Sequence, residues 1–358
     1  MATVRKTHAH TTLAVASALG CVLAAGAVLA DGNGTARRAR GSGGGSRSAC
    51  SATAAALFAA CKSDVMDEAF TAKAKCINVR DAGERAACIG EVRAERDDSA
   101  ELCREQRDGR LAACDELGGD RYDPDLSPGL FDDPRSPTNP NPYFPLTIGD
   151  RWEYHTGTRE VDVVEIVNET KLIAGVTCIV ARDRVDAAGD LSEFTDDWYC
   201  PAKNGDVWYF GEETKSFETF DGDNPRLPEL VSVDGSFKAE RDRDKPGIIF
   251  LASPKVGGVY IEEFSLGNAE DVTEILSTTY AFGSSPELDQ GVPRPLAERL
   301  CTGDCVVTKN FSLLEPGIFA RKYYARGIGV FLEVESEGDV VQLVDCSFDS
   351  RCVGLPQP

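Results

Sequence analysis

Six cysteines first suggest chemistry in this chain. Cys50, Cys61, Cys76, Cys88, Cys103 and Cys114 stand at successive steps of 11, 15, 12, 15 and 11, a palindrome centred on Ala82. Thiols so arranged could hold a metal, cycle electrons or staple the chain. Zinc sites favour short knuckles of closely spaced cysteines, and c-type haem needs Cys-x-x-Cys-His. Neither pattern occurs in this segment. Successive cysteines on one helix would also lie at least ~16 Å apart at a rise of 1.5 Å per residue, too far to share an ion. The spacing therefore predicts three structural bridges, Cys76–Cys88, Cys61–Cys103 and Cys50–Cys114.

A second constellation is acidic. Asp196, Asp197, Glu212 and Glu213 flank Trp198 and Trp208. A carboxyl pair about 5–9.5 Å apart beside aromatic platforms is what glycoside hydrolysis requires, so a carboxylate-dependent hydrolase is one reading. The chain carries 59 acidic residues, however, and such neighbourhoods then arise by chance. Asp120, Asp123 and Asp125 offer oxygen ligands to calcium, but without the EF-hand spacing. Solvated charge in a linker is the plainer reading of those three. His155, in WEYHTGT, is the one imidazole outside the first ten residues, which excludes a multi-histidine metal site. It follows Trp152 and Tyr154 at the end of an apolar run, with no nucleophile motif nearby, and reads as a strand-end surface residue. No cofactor is expected.

These residues need elements to position them. Residues 1–30 carry Arg5 and Lys6, an apolar stretch and a small-residue site before Asp31, the pattern of a cleaved secretory signal. Cys21 only loosely fits a lipoprotein signal, so a lipid anchor there is the lesser reading. Cleavage would leave 36 basic against 59 acidic residues, a formal charge of −23. Such a surface repels nucleic acid, and no later apolar run is long enough to span a membrane. The expected location is secreted or periplasmic, where the twelve remaining cysteines can pair.

Residues 31–47 form a Gly/Ser/Arg-rich leader. Residues 48–118 read as a helical hairpin, with helices over 49–78 and 85–117 and a turn at Asp81-Ala82-Gly83. Steps of 11 and 15 return a side chain to within about 20° and 60° of its starting direction, so the cysteines of each helix share a stripe. Ala54, Leu57, Val65, Ala69 and Ala72 belong to the first stripe, Val92 and Leu111 to the second. Residues 119–142 are a Pro/Asp-rich linker. Residues 143–358 then change period: TCIVARDRV, FTDDWYC, DVWYFGEE, CVVTKNFSLL, IFARKYYAR, GVFLEVES and DVVQLVDC are strand-like. The expected fold is α+β, the stapled hairpin followed by an antiparallel β domain of eight to ten strands, with a short helix in PRPLAERLC. Cys178 and Cys200 are equidistant from Gly189 and should face each other across a hairpin. Cys301–Cys305 and Cys346–Cys352 are the simplest local closures.

Two motifs of the β domain resemble a known group. YFPLTIGDRWEY supplies Pro145, Leu146, Gly149, Trp152 and Tyr154, and RKYYARGIGVFLEV supplies Tyr323, Tyr324, Ala325, Gly327 and Gly329. Together they resemble a largely uncharacterised group of secreted bacterial β proteins with an early PLxxGxxWxY and a late YYAxGxG. The resemblance spans about residues 143–346 and implies a curved, half-barrel antiparallel sheet like that of periplasmic lipoprotein carriers. It implies no catalytic residues. Trp152, Tyr154, Trp198, Tyr199, Trp208 and Tyr209 are the candidate wall for an amphipathic or lipid-like ligand, with ordinary core packing as the plainer alternative. The expected function is a non-enzymatic binding or envelope protein, with an envelope partner also in view. A structural or adhesive module, a rod with a displayed β head, is the other non-enzymatic reading.

Overall fold

The computed structural model describes residues 48–157 and 159–358; the expected signal peptide with Cys21, and the leader, lie outside the described residues. Helix α1 (Ala49–Ile77) and helix α2 (Ala82–Leu117) form an antiparallel hairpin. Ser48 caps α1 through its side chain. Asp81 caps α2 by accepting from the Gly83 and Glu84 amides, which starts that helix three residues before the expected point. The turn is therefore Asn78 to Asp81, with Ala82 and Gly83 inside the helix. Bridges Cys50–Cys114, Cys61–Cys103 and Cys76–Cys88 join the helices, each with Cα atoms 5.6–5.8 Å apart. Leu111 is exposed rather than on the seam. Seven residues after Cys103 the helix has turned by about 700°, so position 110 carries the stripe onward, and Arg110 is the buried residue there.

Arg110 fixes the hairpin to the β domain. Its Nε and Nη2 donate to Glu270 Oε2 and Oε1 at 2.7 and 2.8 Å, and both side chains are buried. Gln106 adds a bond to the Leu314 carbonyl at 2.8 Å. The 119–142 segment is no free tether. Tyr122 donates to the Pro246 carbonyl, and Phe131 bridges to Ala202 and packs against Phe210 and Trp208.

Among the described residues fifteen strands follow: β1 (Arg151–Thr156), β2 (Glu160–Ile173), β3 (Val176–Ala187), β4 (Asp190–Pro201), β5 (Val207–Glu218), β6 (Glu229–Ser232), β7 (Phe237–Lys238), β8 (Lys245–Phe250), β9 (Val259–Ile261), β10 (Glu263–Phe264), β11 (Asp271–Tyr280), β12 (Cys305–Ser312), β13 (Ala320–Ala325), β14 (Gly329–Glu335) and β15 (Val340–Cys346). The eight to ten expected strands undercount because β6, β7, β9 and β10 have two to four residues each, too few to show a period. A short helix α3 (Arg294–Leu300) occupies the expected PRPLAERLC segment.

All strands belong to one antiparallel sheet, ordered β10-β8-β5-β4-β3-β2-β1-β15-β14-β13-β12-β11-β9, with β6 and β7 beside β5. The two ends of that order, β9 and β10, are separated in the chain by Glu262 alone. One segment thus pairs with β11 through its first half and with β8 through its second, so the sheet nearly closes into a barrel. Gly247 on β8 makes the junction feasible, because a Cβ there would lie 2.0 Å from the Glu262 carbonyl oxygen.

The bridge Cys178–Cys200 depends on a defect. The β3–β4 turn has Ala188 and Gly189 both at positive φ, as a two-residue hairpin requires. That turn alone pairs Ala187 with Asp190 and would set Cys178 opposite Tyr199. A bulge between Val185 and Asp186 shifts the register by one, pairing Ile179 with Tyr199 and bringing Cys178 to Cys200. Cys301–Cys305 and Cys346–Cys352 close as local loops.

Candidate functional site

Alternation along β1–β5 sorts the candidate aromatics onto two faces. Trp152 and Tyr154 project inward from β1, and Tyr199 and Tyr209, a cross-strand pair on β4 and β5, stack inside with ring centroids 5.2 Å apart. Trp198 and Trp208 project outward. They form a second small core with Cys178, Cys200, Phe210 and Phe131, roofed by the 119–142 segment, and the Lys171 ammonium sits 3.8 Å from the Trp198 ring centroid. The six aromatics are not one wall. Trp152, Tyr154 and Tyr199 border an interior pocket, while Tyr209 stands behind Tyr199.

The pocket holds about 60 Å³. At roughly 10–15 Å³ per water on this measure, that is room for a few waters or the end of a molecule, not for an acyl chain. Half-buried Phe144, Pro145, Val164 and Val330 form the mouth, and Tyr324, Ile328 and Gly329 face β1 across it. The two quoted motifs meet here. Trp152 Nε1 donates to the Ile328 carbonyl at 2.7 Å, and the Tyr154 hydroxyl donates to the Val330 carbonyl at 3.0 Å. The Gly327 amide donates to the Pro142 carbonyl at 2.7 Å. Gly329 has φ +92°, and a Cβ on it would press within 3.3 Å of Pro145 Cδ.

The pocket floor is acidic. Asp183 of β3 and Asp197 of β4 line it, and both are almost fully buried. Asp162 of β2 shares a hydrogen bond with Asp183, which requires a proton on one of the two carboxyls. Burial lifts Asp183 well above the usual carboxylate range, and the neighbouring Asp162 lifts it further. Burial also raises Asp162, to about 7. No backbone amide or cationic side chain donates to Asp162 Oδ1 or Asp183 Oδ1. Beside them the Tyr209 hydroxyl contacts Asp197 Oδ1 at 2.6 Å and Glu212 Oε2 at 3.0 Å. A phenol has one proton to give, so a carboxyl proton must supply the other bond. Asp197 is pushed up by burial and then by the Glu212 charge.

The four acidic residues flanking Trp198 and Trp208 divide between the faces. Asp197 pairs with Glu212 inside, and Asp196 pairs with Glu213 outside. Asp196 binds Arg182 at 2.8 Å and Glu213 binds Lys215 at 2.6 Å. The inner pair is engaged by Tyr209, so the four do not line a common cleft as the hydrolase reading needs. Asp120, Asp123 and Asp125 do not converge either. Asp123 meets Lys245 at 3.1 Å, Asp125 accepts from Ser127, and no described cluster of three or more ligand residues could hold a metal. His155 sits at the end of β1, 3.3 Å from Glu153 Oε1.

Asp162 and Asp183 escaped the sequence reading, yet their signal was present. In TCIVARDRV, period two places Asp183 on the same face as Ile179, Ala181 and Val185, so an acid lies in an apolar row.

No protein-family model and no curated protein matches the chain. Among solved structures, a candidate lipoprotein from Parabacteroides distasonis aligns with 59% of this chain and 100% of its own at 9% identity, with a TM-score of 0.28. That likeness is too slight to carry an argument about fold or function.

Proposed function

We propose that this chain is a non-enzymatic binding protein of an extracytoplasmic compartment, holding one end of a small amphipathic ligand in the pocket between β1–β4 and the β13–β14 turn. The observation that carries this reading is the meeting of the PLxxGxxWxY and YYAxGxG segments at one pocket. Residues that a resembling group would share then line the pocket as well as the core. Support for the compartment comes from the cysteines. All twelve in the described residues are paired, as oxidising compartments allow. None of the described helices is long and apolar enough to cross a membrane. The stapled hairpin, anchored through Arg110, acts as a rigid spacer for the β head.

Native mass spectrometry of the protein purified from its own host tests the reading. A bound small molecule is expected on the wild type and should be absent from Ala181→Leu, which fills the pocket from β3. A wild-type mass equal to that of the bare chain, or an adduct retained by the variant, counts against it.

A further inference from the structure

The pocket is one-sided in its hydrogen-bonding chemistry. Its Trp152 N–H and Tyr154 O–H are already committed to the backbone carbonyls of Ile328 and Val330. At its floor stand the carboxyls of Asp183 and Asp197, and no Lys, Arg or His is among its lining residues. Asp183 is 3% exposed and borders the pocket, and no backbone amide or cationic side chain donates to its Oδ1. A buried acceptor of this kind costs about 1–3 kcal/mol unless something donates to it. The walls around it are the rings of Phe144, Trp152, Tyr154, Tyr199 and Tyr324. Aromatic rings beside carboxyls that lose their protons as a cation arrives are the surroundings that hold an organic cation, through ring quadrupoles and charge-assisted N–H bonds together.

We infer that the pocket selects a primary ammonium group on a short apolar body, with the ammonium donating to the carboxyl group of Asp183 beside Asp197 and the body lying between the rings. This inference rests on the reading of the pocket as a ligand site and adds the charge and chemistry of the ligand. A neutral alcohol would bring one donor and no charge. A carboxylate would place like charges together.

Ligand-observed NMR titration of the full chain with n-butylammonium, n-butanol and butyrate, at fixed ionic strength, tests it. The amine should bind at least tenfold more tightly than the alcohol, and butyrate should show no saturable binding. Asp183→Asn should lower the amine's affinity at least tenfold while leaving the alcohol's unchanged. If that variant does not fold, Asp197→Asn is used with the same expectation. Alcohol or butyrate binding as tightly as the amine overturns the ammonium assignment and leaves the pocket reading standing. Failure of all three probes to bind overturns both.

Discussion

At the scale of single residues, the inner face of β2–β4 carries an electrostatic cost that pH can relieve. Burial keeps Asp162, Asp183 and Asp197 protonated at pH values where the unfolded chain, with Asp near ~3.9, has released its protons. A raised folded-state pKa contributes stability that is complete below the unfolded value and lost as pH rises through the folded one. For Asp162 that window runs from about 4 to about 7. Glu153, Glu213 and Asp349 act in the opposite sense. Hydrogen bonds from Arg151, Lys215 and Arg351 respectively lower their pKa values, so their share is lost at more acidic pH. The melting temperature should therefore fall as pH rises from 5 to 8, and Asp183→Asn should flatten that slope. A wild-type melting temperature that stays level or climbs over this range would sink the account of the acidic floor.

At the scale of elements, the hairpin and the sheet differ in how far their sequences disclose them. The cysteine palindrome measures distance along two uninterrupted α-helices of constant rise, so three bridges follow directly from spacing. The same ruler reached Cys178–Cys200 by a less secure path, since the pairing needs a bulge whose position no local pattern announces. The motif aromatics on β1 were legible by period two. The inward and outward division of Trp198 from Tyr199 was available from the same rule, but grouping the aromatics by type concealed it. Arg110 is the clearest miss, because a charged residue on a helical stripe makes sense only once Glu270, 160 positions later, arrives beside it. That pair yields an elemental prediction. Arg110→Met strands a buried carboxylate and should cost about 3–5 kcal/mol in denaturant unfolding. Arg110→Met with Glu270→Gln removes the stranded charge while keeping an acceptor for the Gly267 amide, and should cost clearly less. Equal losses in the single and double variants would show that the contact is not an ion pair of the folded state.

For the whole molecule, the decisive feature is the junction that turns a fifteen-strand sheet into a nearly closed barrel. Closure of the sheet keeps water from the interior acids, since an edge at β8 or β11 would admit it to the pocket side of the wall. The seam is sealed by six residues, Val259 to Phe264, whose halves serve different neighbours. Their passage over β8 depends on a missing side chain. In Gly247→Ala the new Cβ would meet the Glu262 carbonyl oxygen at 2.0 Å and the Ile261 carbonyl oxygen at 2.7 Å, backbone atoms with no flexible side chain to yield. Overpacking against backbone typically costs about 1–3 kcal/mol or more. The expected result is a lower denaturant midpoint together with faster amide exchange in β8, β9 and β10, while β2–β4 keep their protection. Gly90→Ala is the matched control: that glycine lies inside α2 with nothing within 4 Å of the added Cβ, so the change should stabilise the hairpin by about 0.5–1 kcal/mol. If Gly247→Ala unfolds like the wild type with exchange unchanged along the seam, closure at Glu262 does not hold the barrel together, and the interior acids must owe their burial to side-chain packing alone.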